Sequence, residues 1–443
     1  MAGRLSQRAG RLRTILLALT MALCGLGGFA LLGAGTASAS AAPLGGVNVL
    51  GIDVGVRTGE IDRAIDQAQA LHAKVVRASL NWAYLEPRAA GTLDPGALAM
   101  TDRLMSDASA AGIRVILTVD GSPCWASSAP AAVLAKCSTQ RRTQASAWPP
   151  QNASDYAAFV AMLAARYGTR LAALEIWNEP DQANQLYFAG PNKAQRYATL
   201  LRAAYPAIKQ ANPNVTVIAG SLVGYNGVFL KALYAAGIKG YYDGLAVHFY
   251  SLTLASLRQF RQVQVANGDT KPLWLDEFGW TTCKPLSRSQ DEQPCVTPQV
   301  QAANLGDIFR SLARTGYVAA VLSFQLQDTD GSDFGVLTAR GARKPAYGAL
   351  ASVLAAPLSG RPPRTTVRLR RAHGGVVASG SGPVGDYIQL EAFVNGSLRY
   401  RATFTLNRFN DYTLAIPRVL GTSMRVRVYQ LWAGPGADSQ ASI

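Results

Sequence analysis

Two stretches of this chain carry a carboxylate to the end of an apolar run. "LEIWNEP", residues 174–180, leads Leu174, Ile176 and Trp177 into Asn178 and Glu179, and Pro180 then stops regular pairing. "LWLDEFGW", residues 273–280, delivers Asp276 and Glu277 in the same way, with Glu277 98 residues after Glu179. Either glutamate alone reads equally well as a solvated side chain at a strand end. Brought face to face, two carboxylates are the minimum equipment for cleaving a glycosidic bond. One must be protonated to assist the leaving oxygen, and the other ionised to attack or to activate water.

The elements that must position them form a repeat. From residue 47 short apolar segments alternate with amphipathic ones: "VNVLGIDVG", "KVVRASL", "RVILTVD", "LAALEIW", "VTVIAG", "GLAVHFY", "LWLDEFG" and "VAAVLSFQ" are each followed by a helical pattern. In the first helix Ile61, Ala64, Ile65, Ala68 and Leu71 fall at helical spacing. Strands apolar on both faces belong to a parallel sheet, and eight such units close into an α/β fold, the (β/α)8 TIM barrel, over residues 43–356. A doubly wound open sheet lacks support, because "GIDVGVRTG" does not fit a phosphate-cradling turn. In such a barrel catalytic residues stand at the C-terminal strand ends, where Glu179 and Glu277 fall after strands four and seven.

Past the linker "PLSGRPPR" the pattern changes. "YIQLEAFV", the turn "NGS" and "LRYRATFTL" predict a hairpin, with Ile388, Leu390, Ala392 and Val394 on one side. Residues 357–443 therefore read as a small antiparallel β-sandwich. Its aromatics Tyr387, Phe393, Tyr429 and Trp432 suit core packing better than sugar stacking.

At the other end Arg4, Arg8, Arg11 and Arg13 precede an apolar run from Ile15 to about Ala34, and Ala39-Ser40-Ala41 offers a cleavage site. Residues 1–42 read as an export signal, with an uncleaved membrane anchor as the alternative. Export makes disulfides the plain reading of Cys124 with Cys137 and Cys283 with Cys295, each closing one local loop. With no CxxC spacing and only three histidines (His72, His248, His373), no metal or cofactor is expected. The formal charge of +16 divides into +4 for residues 1–42, +5 for 43–356 and +7 for 357–443. Arg outnumbers Lys 34 to 9 and is not interleaved with aromatics, so the balance does not point to nucleic acid. An acidic polysaccharide or cell-envelope partner for the tail stays open.

"IWNEP" closing strand four and the Glu of "DEFGW" closing strand seven resemble the retaining glycoside hydrolases of clan A. "GSPCWA" and "RYATLLRAAYPAIKQANPNVTVIAG" are similar to family 39 in particular, or to its endo-acting bacterial relatives that cut exopolysaccharides. The resemblance covers roughly residues 47–355. It implies Glu179 as acid/base, Glu277 as nucleophile rather than Asp276, and Asn178 as the partner of a sugar 2-hydroxyl. Strand alternation sends Asp276 and Glu277 to opposite sides. Arg77 matches an arginine that keeps the nucleophile ionised; a structural ion pair is the other reading.

His248 and Tyr250 end strand six beside Glu277. Tyr250 is the better candidate to hydrogen-bond it, and His248 reads equally as a satisfied core group. Trp82, Trp125 and Trp280 lie just past strand ends, where they serve as sugar platforms or as packing. Glu175 points into the strand interior as a buried partner for a basic group. Strand eight, "VLSFQLQDTD", departs from the clan, many members of which carry a Trp there. Phe324, Gln325 or Gln327 must floor that subsite. The whole reads as a secreted or envelope-associated retaining β-glycosidase, a monomer acting on a poly- or oligosaccharide, with endo action favoured by stiffened cleft walls. The competing reading is a non-hydrolytic surface carbohydrate-binding protein on a barrel scaffold.

Overall fold

A computed structural model describes residues 42–443 except 50, 54, 139–142, 251–253, 283–294, 313–314, 357–364, 373–374, 383–386, 407–410, 418–422 and 431–438. But for its last residue, Ala42, the segment expected to be an export signal, with Cys24, thus lies outside the described residues. Among these, no helix is long and apolar enough to cross a membrane.

Eight parallel strands close a barrel in chain order: β1 Leu44–Asn48, β2 Val75–Asn81, β3 Arg114–Asp120, β4 Leu171–Ile176, β5 Val217–Leu222, β6 Gly244–His248, β7 Leu273–Phe278 and β8 Val318–Ser323. Closure is direct, with Leu44 to Val47 of β1 paired to Ala320 to Ser323 of β8. The longer helices alternate with the strands: α1 Thr58–Ala70, α2 Pro95–Ala110, α3 Ala153–Tyr167, α4 Lys193–Ala211, α5 Val228–Ala235, α6 Leu254–Ala266, α7 Pro298–Leu312 and α8 Pro345–Leu354. Their starts follow local chemistry. In α2, for example, Asp94 accepts from the amides of Gly96 and Ala97 while Pro95 takes the first helical position.

The strands read as continuous apolar runs because they are buried on both faces. Outward residues such as Val76, Leu117 and Leu174 join the helices in one core. Inside the barrel a second cluster sets Trp274 among Ala172, Ala173, Ala246 and Ala320, so one large ring is accommodated by small neighbours.

The first strand begins earlier than the sequence predicts, at Leu44 rather than Val47. Gly45-Gly46 looks like a turn in sequence. In the barrel the β1 backbone lies so close to β2 that a Cβ on Gly46 would fall 1.8 Å from the carbonyl oxygen of Val75, so only glycine fits.

The C-terminal region is antiparallel throughout. β9 Arg368–Ala372, β10 Gly375–Ser381 and β13 Asp411–Pro417 form one sheet, and β11 Tyr387–Val394, β12 Ser397–Thr405, β14 Arg425–Gln430 and β15 Ser439–Ser442 form the other. The β11–β12 turn is Asn395-Gly396, both at positive φ (51° and 78°), as a two-residue hairpin requires. Ile388, Leu390 and Ala392 are fully buried in the core that the two sheets share. A register shift at Phe393 turns Leu398 outward. Side chains of Tyr387 and Trp432 lie outside the described residues. Gln430 reaches the barrel, donating to Asp307 of α7 at 3.2 Å.

Candidate active site

At the end of β4 the chain leaves strand geometry abruptly. Trp177 and Glu179 both take positive φ, 70° and 43°, in the left-handed region that L-residues avoid. Burial holds this strained turn: Trp177 is fully buried, with its indole N–H donated to the carbonyl of Tyr187 at 2.8 Å. The outcome is that Asn178 and Glu179 project at the mouth of the barrel, and such backbone strain is typical of functional positions.

On β7 the alternation is broken. Ala246 and His248 of β6 pair with Trp274 and Glu277, and Val321 and Ser323 of β8 pair with Leu275 and Phe278. Two residues on either neighbour thus span three on β7, the signature of a bulge. Its consequence corrects the expectation that Asp276 and Glu277 point opposite ways, because both carboxylates reach the same guanidinium. Arg77 lies 3.0 Å from Asp276 Oδ2 through Nε and 2.5 Å from Glu277 Oε1 through Nη1.

Arg77, at the centre of β2, organises the floor. Its Nε donates to Glu175 Oε2 (2.7 Å), Nη1 to Asn48 Oδ1 (3.2 Å) and Nη2 to Asn178 Oδ1 (2.8 Å). Asn178 thus accepts through Oδ1, with its Nδ2 as the remaining side-chain donor. Burial disfavours the Arg77 charge, but Glu175, Glu277 and Asp276 outweigh it and hold its pKa above the ordinary range. Glu175 also accepts from Thr118 and Ser221. Burial, against the pull of Arg77, pushes Glu175 up to about 8, so it keeps a proton at neutral pH. Asp276 takes the other course. Burial would raise it, but Arg77 and His248 bring it well below the usual carboxylate range.

Above this floor stand the two glutamates. Tyr250 donates to Glu277 Oε2 at 3.0 Å, and His248 Nδ1 lies 2.7 Å from Glu179 Oε1 and 3.2 Å from Glu277 Oε2. Gln182 donates to Glu179 Oε2 at 2.9 Å. Oxygens of Glu179 and Glu277 and a ring nitrogen of His248 lie within 4.8 Å of one another. Burial raises Glu277, and the positive charges of His248 and Arg77 oppose that rise.

The tryptophans separate. Trp82 is fully buried, its N–H donated to Glu86 at 2.7 Å and its ring packed on Trp125, Tyr156 and Phe159, so it offers no face to a sugar. That corrects its candidacy as a platform: the helical turn Trp82–Leu85 folds it under the mouth. Trp280 is buried against Phe278. Trp125 is half-buried, held by a bond to the Glu86 carbonyl. Gln325 donates to Ser332 at 3.0 Å, and with Asn48 lines a cleft of about 540 Å³ between the β1 and β8 loops. Phe324 packs edge-on to Tyr250, and Gln327 is exposed, bonded to the Ala339 carbonyl.

The Cys124–Cys137 disulfide closes the loop after β3, with Cα atoms 5.8 Å apart. Cys295 is also disulfide-bonded, and Cys283 lies outside the described residues. Sequence reasoning missed Asn48, Thr118, Ser221 and Gln182. The first three were legible only as polar interruptions in apolar strands, a weak signal until strand faces are known.

Barrel, strand-end glutamates and their cationic clamp together define a clan A retaining glycoside hydrolase. Residues 38–341 match the family model for cellulase (glycosyl hydrolase family 5), and the chain belongs to that family. The family 39 resemblance is met among solved structures. A family 39 enzyme from Xanthomonas axonopodis pv. citri aligns at TM-score 0.50 and 15% identity, covering 86% of this chain and 93% of that one. A monomeric β-xylosidase from Caulobacter crescentus CB15 aligns at 0.51 and 16%, covering 88% and 97%. A family 30 endoxylanase from Clostridium papyrosolvens C71 gives 0.50 and 14%, covering 89% and 98%. At such identities the likeness is one of fold. No curated protein matches the chain.

Proposed function

We propose that this glycoside hydrolase is an exported β-glycosidase that cuts a poly- or oligosaccharide by double displacement, with Glu277 as nucleophile and Glu179 as acid/base. The observation that supports the assignment is that Glu179 and Glu277 share the ring of His248, with an oxygen of each within 4.8 Å of the other, a close approach of the kind a retaining pair needs. Retaining pairs stand ~5–5.5 Å apart, whereas inverting pairs need ~6.5–9.5 Å to admit a water. In the first step a Glu277 oxygen bonds to the anomeric carbon as Glu179 protonates the departing oxygen. In the second, Glu179 takes a proton from the water that displaces Glu277. Arg77 and Tyr250 hold Glu277 aligned for attack, and Asn178 is placed beside it for the 2-hydroxyl.

Export is supported by the N-terminal signal pattern and by the disulfide-bonded cysteines. Endo action on an exopolysaccharide or cell-wall glycan is supported by the half-buried Trp125 and by the cleft that Asn48 and Gln325 line. Attachment to the envelope is supported by the outer face of the C-terminal sheet, where Arg425 and Arg427 lie 5.2 and 5.1 Å from the Phe393 ring. A monomeric state is supported by the likeness in fold to the monomeric β-xylosidase from Caulobacter crescentus CB15.

The test is reducing-end release from bacterial exopolysaccharides and plant β-glycans by the wild type, Glu277→Gln and Glu179→Gln. Loss of turnover in Glu277→Gln is expected, and a fall of ~10²–10⁴ in Glu179→Gln. Wild-type rates in either variant would refute the assignment.

A further inference from the structure

Asp276 is the buried charge that the two chemical steps do not use. It is fully buried, and its carboxylate is held among the ionisable side chains of Arg77, His248 and Glu175. A carboxylate is expensive to bury, yet β7 carries an extra residue that turns this one inward beside Glu277. What it faces is positive: Arg77 Nε at 3.0 Å and His248 Nε2 at 3.6 Å. The second distance is too long for a hydrogen bond but short for a Coulomb contact.

The His248 ring is enclosed by charged groups from three strands. From β7, Asp276 lies at Nε2 and Glu277 at Nδ1; from the end of β4, Glu179 lies at Nδ1. Glu175 of β4 places an oxygen within 4.8 Å of both the ring and Asp276. Arg77 of β2 contacts Glu175, Asp276 and Glu277, and Tyr250 contacts Glu277.

We propose that Asp276 is a positioning residue whose fixed negative charge keeps His248 an imidazolium, so that Nδ1 donates to Glu179 and the site stays charge-balanced in both halves of the reaction. The balance rests on the roles given above to Glu179 and Glu277. Before reaction Arg77 and His248 face Asp276 and Glu277, Glu175 keeps its proton, and Glu179 carries the one that its role as acid requires. When the Glu277–carbon bond forms and the glycosidic bond breaks, the Glu179 proton leaves with the departing oxygen. Glu277 has then lost its charge and Glu179 has gained one, so two cations again face two anions. Hydrolysis restores the first arrangement as Glu179 takes a proton from water. Burial alone would lower the His248 pKa; Glu277 and Asp276 outweigh it and hold the ring well above its ordinary value. Neutralising Asp276 leaves His248 and Arg77 facing one anion fewer, which drives the ring proton off.

The experiment uses the full chain carrying His72→Gln and His373→Gln, so that His248 is its sole histidine, labelled with ¹³C at the ring. A charged ring is expected at pH 7.5, with its midpoint lowered by about one unit or more in Asp276→Asn and preserved in Asp276→Glu. In parallel, the basic limb of kcat/KM on 4-nitrophenyl β-xyloside, β-glucoside and β-mannoside is expected to move to lower pH in Asp276→Asn. A neutral ring at pH 7 with Asp276 in place would overturn the proposal, and needs no variant of Asp276 to fold. So would a midpoint that Asp276→Asn leaves unmoved. The ring measurement does not require turnover, so a chain that cleaves none of the three glycosides would count against the catalytic reading alone.

Discussion

Glu175 and Asp276 are both fully buried against Arg77, yet they sit in opposite protonation states. The difference is environment: at Glu175 burial outweighs Arg77 and the neighbouring Asp276 charge adds to the rise, whereas Arg77 and His248 together keep Asp276 ionised. This has a consequence for stability. Glu175 is raised to about 8 from an ordinary 4.5, so the folded chain keeps a proton that the unfolded chain has lost. Stability from that group is full below about 4.5 and is lost as pH rises toward 8. Thermal melting of the wild type is therefore expected to fall between pH 5 and 8, and Glu175→Gln, which cannot ionise, to show a shallower slope. Equal slopes would mean that Glu175 is ionised in the folded chain. In the sequence, Glu175 was legible as a buried partner for a basic residue, and Arg77 as that residue. Asn48, Thr118 and Ser221 were not, because a polar residue in a strand declares its partner only when neighbouring registers are fixed.

At the scale of elements, the bulge on β7 decides most of the site. Alternation is a sound rule for an unbroken strand, and it failed at Asp276 because nothing in "LWLDEFGW" announces an extra residue. The disulfide loop after β3 was legible, since the spacing of Cys124 and Cys137 and the export expected from residues 1–42 point the same way. Removing it with Cys124→Ser and Cys137→Ser together is expected to cost about 2–3 kcal/mol, the loop entropy of a closure this short. A shift of the urea midpoint at constant slope is the readout; an unchanged midpoint would show that packing of Trp125 and its neighbours already orders the loop.

At the scale of the molecule, eight apolar runs alternating with helical patterns were enough to reach a closed barrel, because strands buried on both faces leave few other solutions. The sandwich was legible from period-two alternation around an Asn-Gly turn. Its outer face was not: the basic tail could be counted, but the placement of arginines about Phe393 depends on cross-strand register. Glu391 is buried and paired with Arg401 and Arg427, so part of that charge is structural. The full chain is expected to sediment with polygalacturonate at low salt, to be released as salt is added, and to ignore neutral xylan. Arg399→Ala with Arg425→Ala should weaken that retention several-fold; retention that salt does not touch would rule out a charge-driven partner.

The most direct measurement of the central claim is to trap the covalent intermediate. Wild-type chain is incubated with 2-deoxy-2-fluoro-β-glycosyl fluorides of xylose, glucose and mannose, then digested and mapped by mass spectrometry. One glycosyl adduct on Glu277, absent from Glu277→Gln, is the expected result. An adduct on Glu179 or Asp276, or none from a sugar whose glycosides the enzyme hydrolyses, would contradict the assignment.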